Sequence, residues 1–454
     1  MFKVAVIGMG YSGAIVIDRL RLSSTAVLID VYDGSASAGA GQAYQRDIFR
    51  NLVNRPAELM YLRERGDFQR WLDEYGVKKP GSYQPRPLFG SFVEETLRLS
   101  TQEHPAINIY NEQVIGLVPQ GGGYSVQTDM SVRQGYAAVV LATGNPEPVD
   151  FYGLRGNSGY LNSPYPTTKL AGVRSNNIGV IGNQLSAIDA CLGLLDLNSE
   201  NRVTMLSRKS RIPNYSECYS ARPLMVLSEK NVADKLAGSS SALKAVRDMF
   251  DDEFKAQGIS IDLQALMRDY NNVSIAREDI YSLLSSTNLV VPVIWHYLSE
   301  RERNIFVRRY QAAWRQLRVP IPKESWEKIH DHMHAGRLAC HGGLKNIVAS
   351  KDGFIARGRG FELGFSKVIN ATGVGDPLAD PLYQYLTSAG ICTRHRHGGV
   401  NVRYDDCRVI NARGPSNIFA IGAPTSGVFY AVSNIDALHM QAERICNNIL
   451  ALGQ

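Results

Sequence analysis

Residues 2–33, FKVAVIGMGYSGAIVIDRLRLSSTAVLIDVYD, follow the order strand, glycine turn, helix and strand. Apolar runs at Phe2–Ile7 and Val27–Tyr32 predict the two strands, and the apolar spacing within Ala14–Leu22 favours a helix. Between them, residues 8–13 (GMGYSG) fill the pattern G-x-G-x-x-G and are called the first turn below. This order predicts a Rossmann-like unit, in which helices pack on a parallel sheet.

The residue types of the first turn suit a dinucleotide. Gly8 allows a tight turn, Gly10 lets a pyrophosphate approach the backbone, and Gly13 lets the helix pack closely on the strand. The N–H groups at the start of the helix then face the phosphates. Asp33 ends the second strand, where a carboxylate can accept hydrogen bonds from a ribose. The alternative is a glycine turn with a structural role only. The predicted cofactor-binding residues are Gly8, Gly10, Tyr11, Ser12, Gly13 and Asp33.

A similar unit begins near residue 177. Asn177–Ile181 is apolar and strand-like, residues 182–187 (GNQLSA) form a second turn, and Ser186–Leu195 reads as a helix. The next strand, Arg202–Leu206, is followed by two cations instead of an acid. Cations at this position suit the 2′-phosphate of NADPH, the alternative being a solvated basic loop. The predicted NADPH-binding residues are Gly182, Gln184, Leu185, Ser186, Arg208 and Lys209.

Both halves end alike. Strands predicted at Tyr124–Gln127 and Tyr136–Leu141 lead to Ala-Thr-Gly at residues 142–144. Strands predicted at Phe354–Ala356 and Lys367–Ile369 lead to the same tripeptide at residues 371–373. The order of turn, hairpin and Ala-Thr-Gly therefore occurs twice.

This order resembles flavoproteins with two dinucleotide-binding domains, in which Ala-Thr-Gly segments link the FAD and NADPH domains. Several motifs narrow the resemblance to a family of FAD/NAD(P)-binding proteins that includes amino-acid N-monooxygenases and many members of unknown activity. The motifs are GAGQAY (39–44), NLVNRPA (51–57), DFQRWL (67–72), PRPLFG (85–90), IGNQLSAID (181–189), LSR (206–208) and, more loosely, residues 422–442.

The resemblance implies an α/β fold with two Rossmann-like domains, for FAD and NADPH, with β-hairpin or meander insertions and a helical insertion. We expect the first part of the FAD domain at residues 1–150 and the NADPH domain at 151–372. The helical insertion is expected at about 215–336, where apolar residues recur at helical spacing. Residues 373–454, the return segment, are expected to rejoin the FAD domain and to point a helix N-terminus at the flavin pyrimidine.

Other residues are assigned to the cofactors through these motifs. Asn54, in NRPA, is the candidate catalytic residue, because an amide there could hydrogen-bond the flavin ring. An ordinary turn residue is the equal alternative. Gln42 and Tyr44 are expected to line the flavin, unless Tyr44 only packs. The remaining assigned positions are Thr143, Gly144, Thr372, Gly373 and Gly422.

The predicted chemistry is carried by the flavin. NADPH would reduce FAD, and no C-x-x-C pair is present to pass electrons to a disulfide. Oxygen is then the simplest acceptor, and a flavin hydroperoxide could hydroxylate the amine of a small amino acid. Gln184 is a departure, because related proteins usually have glycine there and a side chain could crowd the pyrophosphate. Two alternatives stay open: an oxidoreductase without oxygen insertion, and a non-enzymatic flavin-binding module.

Composition sets wider limits. The chain has 454 residues, 44% of them hydrophobic, and a net charge of +6. This mild charge does not require nucleic acid or a membrane as partner. No apolar run approaches the ~20 residues of a membrane span, so we expect a cytoplasmic protein, with a homo-oligomer possible. The histidines of HDHMH (330–334) lack an evident third ligand, and no metal site is predicted.

Overall fold

The computed structural model describes residues 2–35, 39–77, 82–102, 106–209, 212–268, 277–411 and 414–453. In chain order the strands are β1 Phe2–Ile7, β2 Val27–Tyr32, β3 Ile107–Tyr110, β4 Val114–Gln120, β5 Gly123–Thr128, β6 Val132–Leu141, β7 Tyr160–Leu161, β8 Ile178–Ile181, β9 Val203–Ser207, β10 Tyr215–Ser216, β11 Ile321–Pro322, β12 Leu338–Gly342, β13 Leu344–Ser350, β14 Gly353–Gly358, β15 Phe361–Phe365, β16 Lys367–Asn370, β17 Arg408–Asn411 and β18 Gly414–Ala420.

The α-helices are α1 Tyr11–Arg21, α2 Gly41–Tyr44, α3 Asp67–Glu74, α4 Arg86–Gln102, α5 Leu185–Asp196, α6 Glu229–Ala237, α7 Ala242–Ala256, α8 Leu263–Arg268, α9 Arg277–Ser286, α10 Val290–Tyr297, α11 Glu300–Arg309, α12 Gln311–Arg318, α13 Lys323–His334, α14 Pro381–Ser388, α15 Ser426–Phe429 and α16 Ile435–Ala451. Short 3₁₀ helices lie at Ala57–Leu59, Thr167–Gly172, Pro377–Ala379 and Ala423–Thr425. Among the described residues, no helix combines the length and apolar character needed to cross a bilayer.

The first sheet has the order β17–β18–β6–β1–β2–β3, with β4 and β5 attached beside β6. β1 runs parallel to both of its neighbours, β2 and β6. Val4–Ile7 is wholly buried, as expected for a parallel strand with both faces covered. The glycine turn after β1 therefore lies at the carboxyl edge of the sheet.

The second sheet repeats this plan. Its order is β12–β9–β8–β16–β7, and every neighbouring pair is parallel. β8 lies between β9 and β16, just as β1 lies between β2 and β6. The predicted fold class, α/β with Rossmann-like dinucleotide-binding units, is confirmed.

One predicted pairing was wrong. The strands around Phe354–Ala356 and Lys367–Ile369 are not a hairpin: β14 pairs with β13 and β15 in a separate three-stranded sheet. Because β15 follows β14 and takes its free edge, β16 pairs instead with β8 in the parallel sheet.

The residues between β10 and α13 are mostly helical. Helices α6 to α12 enclose their own apolar core, which includes Phe250, Phe254, Leu284, Trp295 and Trp314. Helices α11 and α12 are separated by Tyr310 alone, since α11 ends at Arg309 and α12 begins at Gln311. The insertion thus packs as a helical layer with a core distinct from those of the sheets.

The return segment rejoins the first sheet. β18 runs parallel to β6, and α16 packs on α1, where the Cys446 thiol lies 3.8 Å from the Val16 carbonyl oxygen. The exact domain boundaries given above stay a prediction.

Candidate functional site

The first turn has the geometry that its glycines predict. Gly8 has φ of +100°, and a Cβ there would overlap the carbonyl oxygen of Ala142. A Cβ on Gly13 would overlap the carbonyl oxygen of Gly8, so only glycine allows α1 to lie this close to β1. Gly10 precedes α1 in extended conformation, and no side chain caps the helix. The N–H groups of this first helical turn thus lack the side-chain acceptor that α6, α11, α14 and α16 have.

The side chain of Tyr11 is packed inside the protein. The Tyr11 ring is buried against Tyr44 and Phe89, and its hydroxyl donates to the Tyr61 carbonyl oxygen at 2.5 Å. Burial raises the pKa of Tyr11 well above its ordinary value. Tyr11 can therefore serve a phosphate only through its backbone N–H.

The return segment closes on the first turn. Gly422 has φ of +77°, and a Cβ there would lie 3.2 Å from the Ser12 hydroxyl oxygen. Its N–H donates to the side-chain oxygen of Gln441 at 2.9 Å. Gly422 thus sits where residues 8–13 and the end of β18 meet, and its assignment to the cofactor stays a prediction.

Asp33 braces the first turn. One carboxylate oxygen accepts from the Met9 N–H at 2.6 Å, and the other accepts from the Ser35 N–H at 2.7 Å. Each oxygen keeps a second lone pair, so a ribose hydroxyl can still donate to this group. Gln42 is exposed, and Tyr44 packs on Phe89 with ring centroids 4.7 Å apart.

The second turn repeats the first with two of its three glycines replaced. Gly182 has φ of +130°, and a Cβ there would lie 2.5 Å from the carbonyl oxygen of Ala371, the counterpart of the Gly8–Ala142 contact. Gln184 takes the place of Gly10, and Ala187 the place of Gly13. Gln184 precedes α5 in extended conformation, φ −108°, and α5 also lacks a side-chain cap. Leu185 and Ser186 form its first turn.

The predicted phosphate-binding cations are tied to the second turn. Arg208 and Lys209 follow β9, and both are exposed. The Asn183 amide donates to the Lys209 carbonyl oxygen at 2.6 Å. Within the described ranges, neither cation has an acidic partner. Both charges are therefore free to meet an anion beside the turn.

The two Ala-Thr-Gly segments leave their sheets side by side. The Thr143 hydroxyl lies 2.9 Å from that of Tyr383, and the Thr372 hydroxyl donates to Asn370 at 2.7 Å. Gly144 and Gly373 both have positive φ, +73° and +99°. Beyond them, the Gly375 N–H lies 3.4 Å from the Pro146 carbonyl oxygen. The chain therefore passes between the sheets twice at one place.

Asn54 lies beside a buried cluster of charges. Its carbonyl oxygen accepts from the Tyr219 hydroxyl at 3.4 Å. The next residue, Arg55, is 8% exposed and pairs with Asp436 of α16 at 2.8 Å. Asp436 also accepts from Asn288 of the insertion at 2.7 Å. Three distant parts of the chain thus meet next to Asn54.

This cluster carries more positive than negative charge. Burial opposes the ionisation of Asp436, but Arg55 and Asn288 together outweigh burial and lower the pKa of this carboxyl. Arg318, which donates to Asn288, is half-buried, and desolvation lowers its pKa to about 10. Nε and Nη1 of Arg55 have no hydrogen-bond partner among the described residues. A buried guanidinium with two unused nitrogens is suited to an anionic or carbonyl group.

A second buried pair joins the two sheets. Arg86, the first residue of α4, lies 2.9 Å from Asp189 of α5, and the Tyr165 hydroxyl donates to the same carboxylate at 2.6 Å. Burial opposes the charge of Arg86, but Asp189 and the Tyr165 hydroxyl together outweigh burial and raise the pKa of Arg86. Burial also raises the pKa of Asp189. The helix of the second turn is thereby anchored to the first half.

Sequence reasoning assigned no role to Arg55, Arg86, Asp189 or Asp436. A signal was available for Asp189, since a carboxylate within the apolar run LSAIDACLGLL predicts a buried partner. Its partner could not be identified, because Arg86 lies about a hundred positions earlier in the chain.

Comparisons with known proteins agree with this geometry. Residues 5–146 match a family model described as FAD-NAD(P)-binding. YdhS, an uncharacterized protein of Escherichia coli (strain K12), is 26% identical over 215 residues, which is 43% of this chain and 39% of that protein. The matched region thus spans well under half of that relative.

Solved structures cover the whole chain. The reduced form of ornithine hydroxylase (PvdA) from Pseudomonas aeruginosa is similar over 100% of both chains, with a TM-score of 0.63 and 15% identity. Kutzneria sp. 744 ornithine N-hydroxylase, with reduced FAD, NADP⁺ and L-ornithine, is similar over 99% of both, with a TM-score of 0.62 and 15% identity. Bacillithiol disulfide reductase from Staphylococcus aureus is similar over 100% of both, with a TM-score of 0.58 and 12% identity. The N-terminal part of the chain is an FAD/NAD(P)-binding domain, and the fold is that of flavoproteins.

Proposed function

We propose that the chain is an FAD-dependent oxidoreductase that consumes NADPH and, with molecular oxygen, hydroxylates the amine of an amino acid or related small molecule. The observation that carries this proposal is the pair of glycine turns built on one plan. Each follows a buried parallel strand and leads into a helix without a side-chain cap. Two such turns in one chain suit two dinucleotides.

The first turn fits FAD. Gly10 puts no side chain between the pyrophosphate and α1, and Asp33 keeps lone pairs for the ribose. When bound, the flavin supplies the redox chemistry by accepting a hydride from NADPH and returning the electrons to an acceptor. The protein holds and orients it.

The second turn is proposed to hold NADPH. The N–H groups of Leu185 and Ser186 would receive the pyrophosphate, and Arg208 and Lys209 the 2′-phosphate. The Asn183–Lys209 hydrogen bond supports this assignment, because it keeps the start of the basic loop next to the turn.

Asn54 is proposed to contact the flavin ring. Its backbone is held from two sides, by the Tyr219 hydroxyl and by the Arg55–Asp436 pair. Its half-buried side-chain amide is thereby proposed to hold a fixed direction from which it can donate to the ring. The likeness to two ornithine hydroxylases supports an amine as substrate.

A second candidate is an NAD(P)H-dependent reductase that inserts no oxygen. The likeness to bacillithiol disulfide reductase favours it. All six cysteines of this chain are unpaired, however, and Cys191, Cys392, Cys407 and Cys446 are buried. An acceptor other than an internal disulfide is therefore proposed for this candidate.

The test is anaerobic reduction of the purified protein by NADPH or NADH, followed by oxygen with and without a panel of amines. A monooxygenase bleaches with NADPH and forms a hydroxylamine from one amine in proportion to the oxygen consumed. Oxidation of NADPH that yields only hydrogen peroxide or a reduced acceptor supports the reductase. A flavin that NADPH cannot reduce contradicts both and leaves a binding module.

The double variant Arg208→Ala with Lys209→Ala tests the NADPH assignment. We expect its affinity for NADPH to fall about tenfold or more, since two charge-assisted contacts are lost, and its affinity for NADH to stay unchanged. Lys255→Ala with Lys351→Ala removes the same charge from exposed positions elsewhere and is the matched control. Equal losses for NADPH and NADH would reject the 2′-phosphate assignment.

A further inference from the structure

A large cavity lies in the helical insertion, and none of its described lining residues belongs to either glycine turn. It is bounded by α7, α8, α10, α11 and α12 and has a volume of about 650 Å³. This is far larger than the voids of a packed core and falls within the range of small-molecule sites. The insertion therefore encloses a space of ligand size.

The walls of the cavity are apolar and aromatic. Phe250, Trp295 and Trp314 are almost fully buried, and three further rings complete the lining. The six aromatic lining residues are Phe250, Trp295, Phe306, Tyr310, Trp314 and Tyr430. The apolar surface that the less buried lining residues expose to the cavity is costly to leave in contact with water. The body of a ligand here would be apolar.

The mouth of the cavity is cationic. Lys244, Arg247, Arg268 and Arg309 line it and are exposed, and no acidic residue belongs to the part of the lining that the structure describes. Arg247 is paired with Asp248 at 2.6 Å. The other three form no ion pair with any residue that the structure describes. Uncompensated cations around an apolar space favour an anionic head group.

The floor of the cavity belongs to the return segment. Tyr430 has φ of +61°, a backbone conformation that residues other than glycine rarely adopt. Its ring stacks on Trp295 with ring centroids 4.8 Å apart. The Trp295 indole N–H donates to the Gly427 carbonyl oxygen at 2.8 Å. These contacts fix the floor, so the cavity is held open by packing from two separate parts of the chain.

We propose that this cavity binds an amphipathic anion, a carboxylate with an apolar body such as a medium-length acyl chain. The carboxylate meets Arg268, Arg309 and Lys244 at the mouth, and the apolar body displaces water from the aromatic walls. A cation with the same body is disfavoured by the same three charges. This site goes beyond the proposed oxidoreductase function and does not depend on it.

The test is a fluorescence titration of the full chain as purified, with dodecanoate as the probe. Trp295 and Trp314 are two of the four tryptophans in the chain, so occupancy changes the emission directly. We expect saturable binding of dodecanoate below its micelle concentration. Dodecyltrimethylammonium and dodecanol should bind about tenfold more weakly or worse. Equal affinity for the three, or no saturable binding of dodecanoate, would overturn the proposal.

Variants distinguish recognition of the carboxylate from recognition of the apolar chain of the ligand. Arg268→Glu with Arg309→Glu should abolish the preference for dodecanoate, while Lys230→Glu with Lys235→Glu, at exposed positions of α6, should keep it. Ala313→Phe places a ring in the cavity and should weaken all three probes together. Bound flavin and the circular dichroism spectrum report folding of each variant. Wild-type binding in the first variant or in Ala313→Phe contradicts the assignment. Since no readout uses NADPH or oxygen, failure here is distinct from failure of the proposed reaction.

Discussion

At the scale of single residues, Gly10 and Gln184 occupy equivalent positions with nearly the same backbone. Both are extended, with φ, ψ of −76°, −175° and −108°, −166°. Neither conformation requires glycine, so what Gly10 contributes is the absence of a side chain. That this absence lets a pyrophosphate approach the backbone stays a prediction. The sequence could not indicate where the Gln184 side chain lies; its amide is directed toward Asn183, at 3.3 Å.

Gln184→Gly is expected to tighten both NADPH and NADH by a few-fold, roughly 1 kcal/mol, because the pyrophosphate common to both meets less steric hindrance. Titration of each nucleotide against flavin fluorescence measures the effect. FAD content, which depends on the other turn, serves as the control and should not change. Unchanged affinity for both nucleotides would mean that Gln184 does not crowd the site.

At the scale of elements, α1 and α16 are joined by a buried histidine. His439 of α16 stacks on Tyr61 with ring centroids 4.4 Å apart, and its Nε2 lies 3.3 Å from the Tyr11 hydroxyl. Because that hydroxyl donates to the Tyr61 carbonyl and Arg19 approaches Nδ1 at 3.4 Å, the arrangement assigns the proton of a neutral ring to Nε2. Burial, with Arg19 adding to it, lowers the pKa of His439 to about 4.

The low pKa of His439 predicts acid sensitivity. The unfolded chain binds a proton here below pH ~6.5, whereas the folded chain does not until about pH 4. The contribution of neutral His439 to the free energy of unfolding is therefore complete above pH ~6.5. It is lost as the pH falls toward 4, by roughly 2 kcal/mol between pH 7 and pH 5. His439→Phe keeps an aromatic ring but cannot be protonated. Between pH 7 and pH 5 its free energy of unfolding, measured with urea, should fall by roughly 2 kcal/mol less than that of wild type. His334→Phe, at an exposed position, should behave as wild type; a His439→Phe slope equal to wild type would refute the assignment.

Strands and helices next to the glycine turns were predicted well because local patterns decide them. The β1–α1–β2 unit begins and ends within a few residues of its prediction. Strand pairing is not local, and there the prediction failed. The pattern of β14 and β16 is equally compatible with a hairpin, and only the position of β15 between them determines that they enter different sheets.

At the scale of the molecule, two sheets of one plan are fastened by the Arg86–Asp189 pair. The duplication itself could be predicted from the repeated order of turn and Ala-Thr-Gly. The Arg86–Asp189 pair could not be predicted, because no motif or repeat in the sequence relates α4 to α5. The same holds for the cavity of the insertion, because apolar residues at helical spacing predict the helices but not the space between them.

Asp189→Leu is expected to destabilise the protein by about 3 kcal/mol, because it leaves the Arg86 charge buried without its partner. Arg86→Met with Asp189→Leu should regain most of this loss. Chemical denaturation of the single and double variants gives the comparison. Glu362→Leu breaks the exposed pair with Arg357 and should cost under about 1 kcal/mol. A single variant as stable as wild type would mean that the pair does not fasten the sheets.

Because the two Ala-Thr-Gly segments lie side by side, the second half of the molecule is a single insertion within the first half. The chain leaves the first sheet after Gly144 and comes back past Gly375, whose N–H is 3.4 Å from the Pro146 carbonyl oxygen. The residues between these two points therefore begin and end at the same place in the structure. The later elements β17, β18 and α16 complete the first half of the molecule. A gene could therefore gain, lose or exchange that entire half by one insertion event, with a new peptide join no longer than a tight turn.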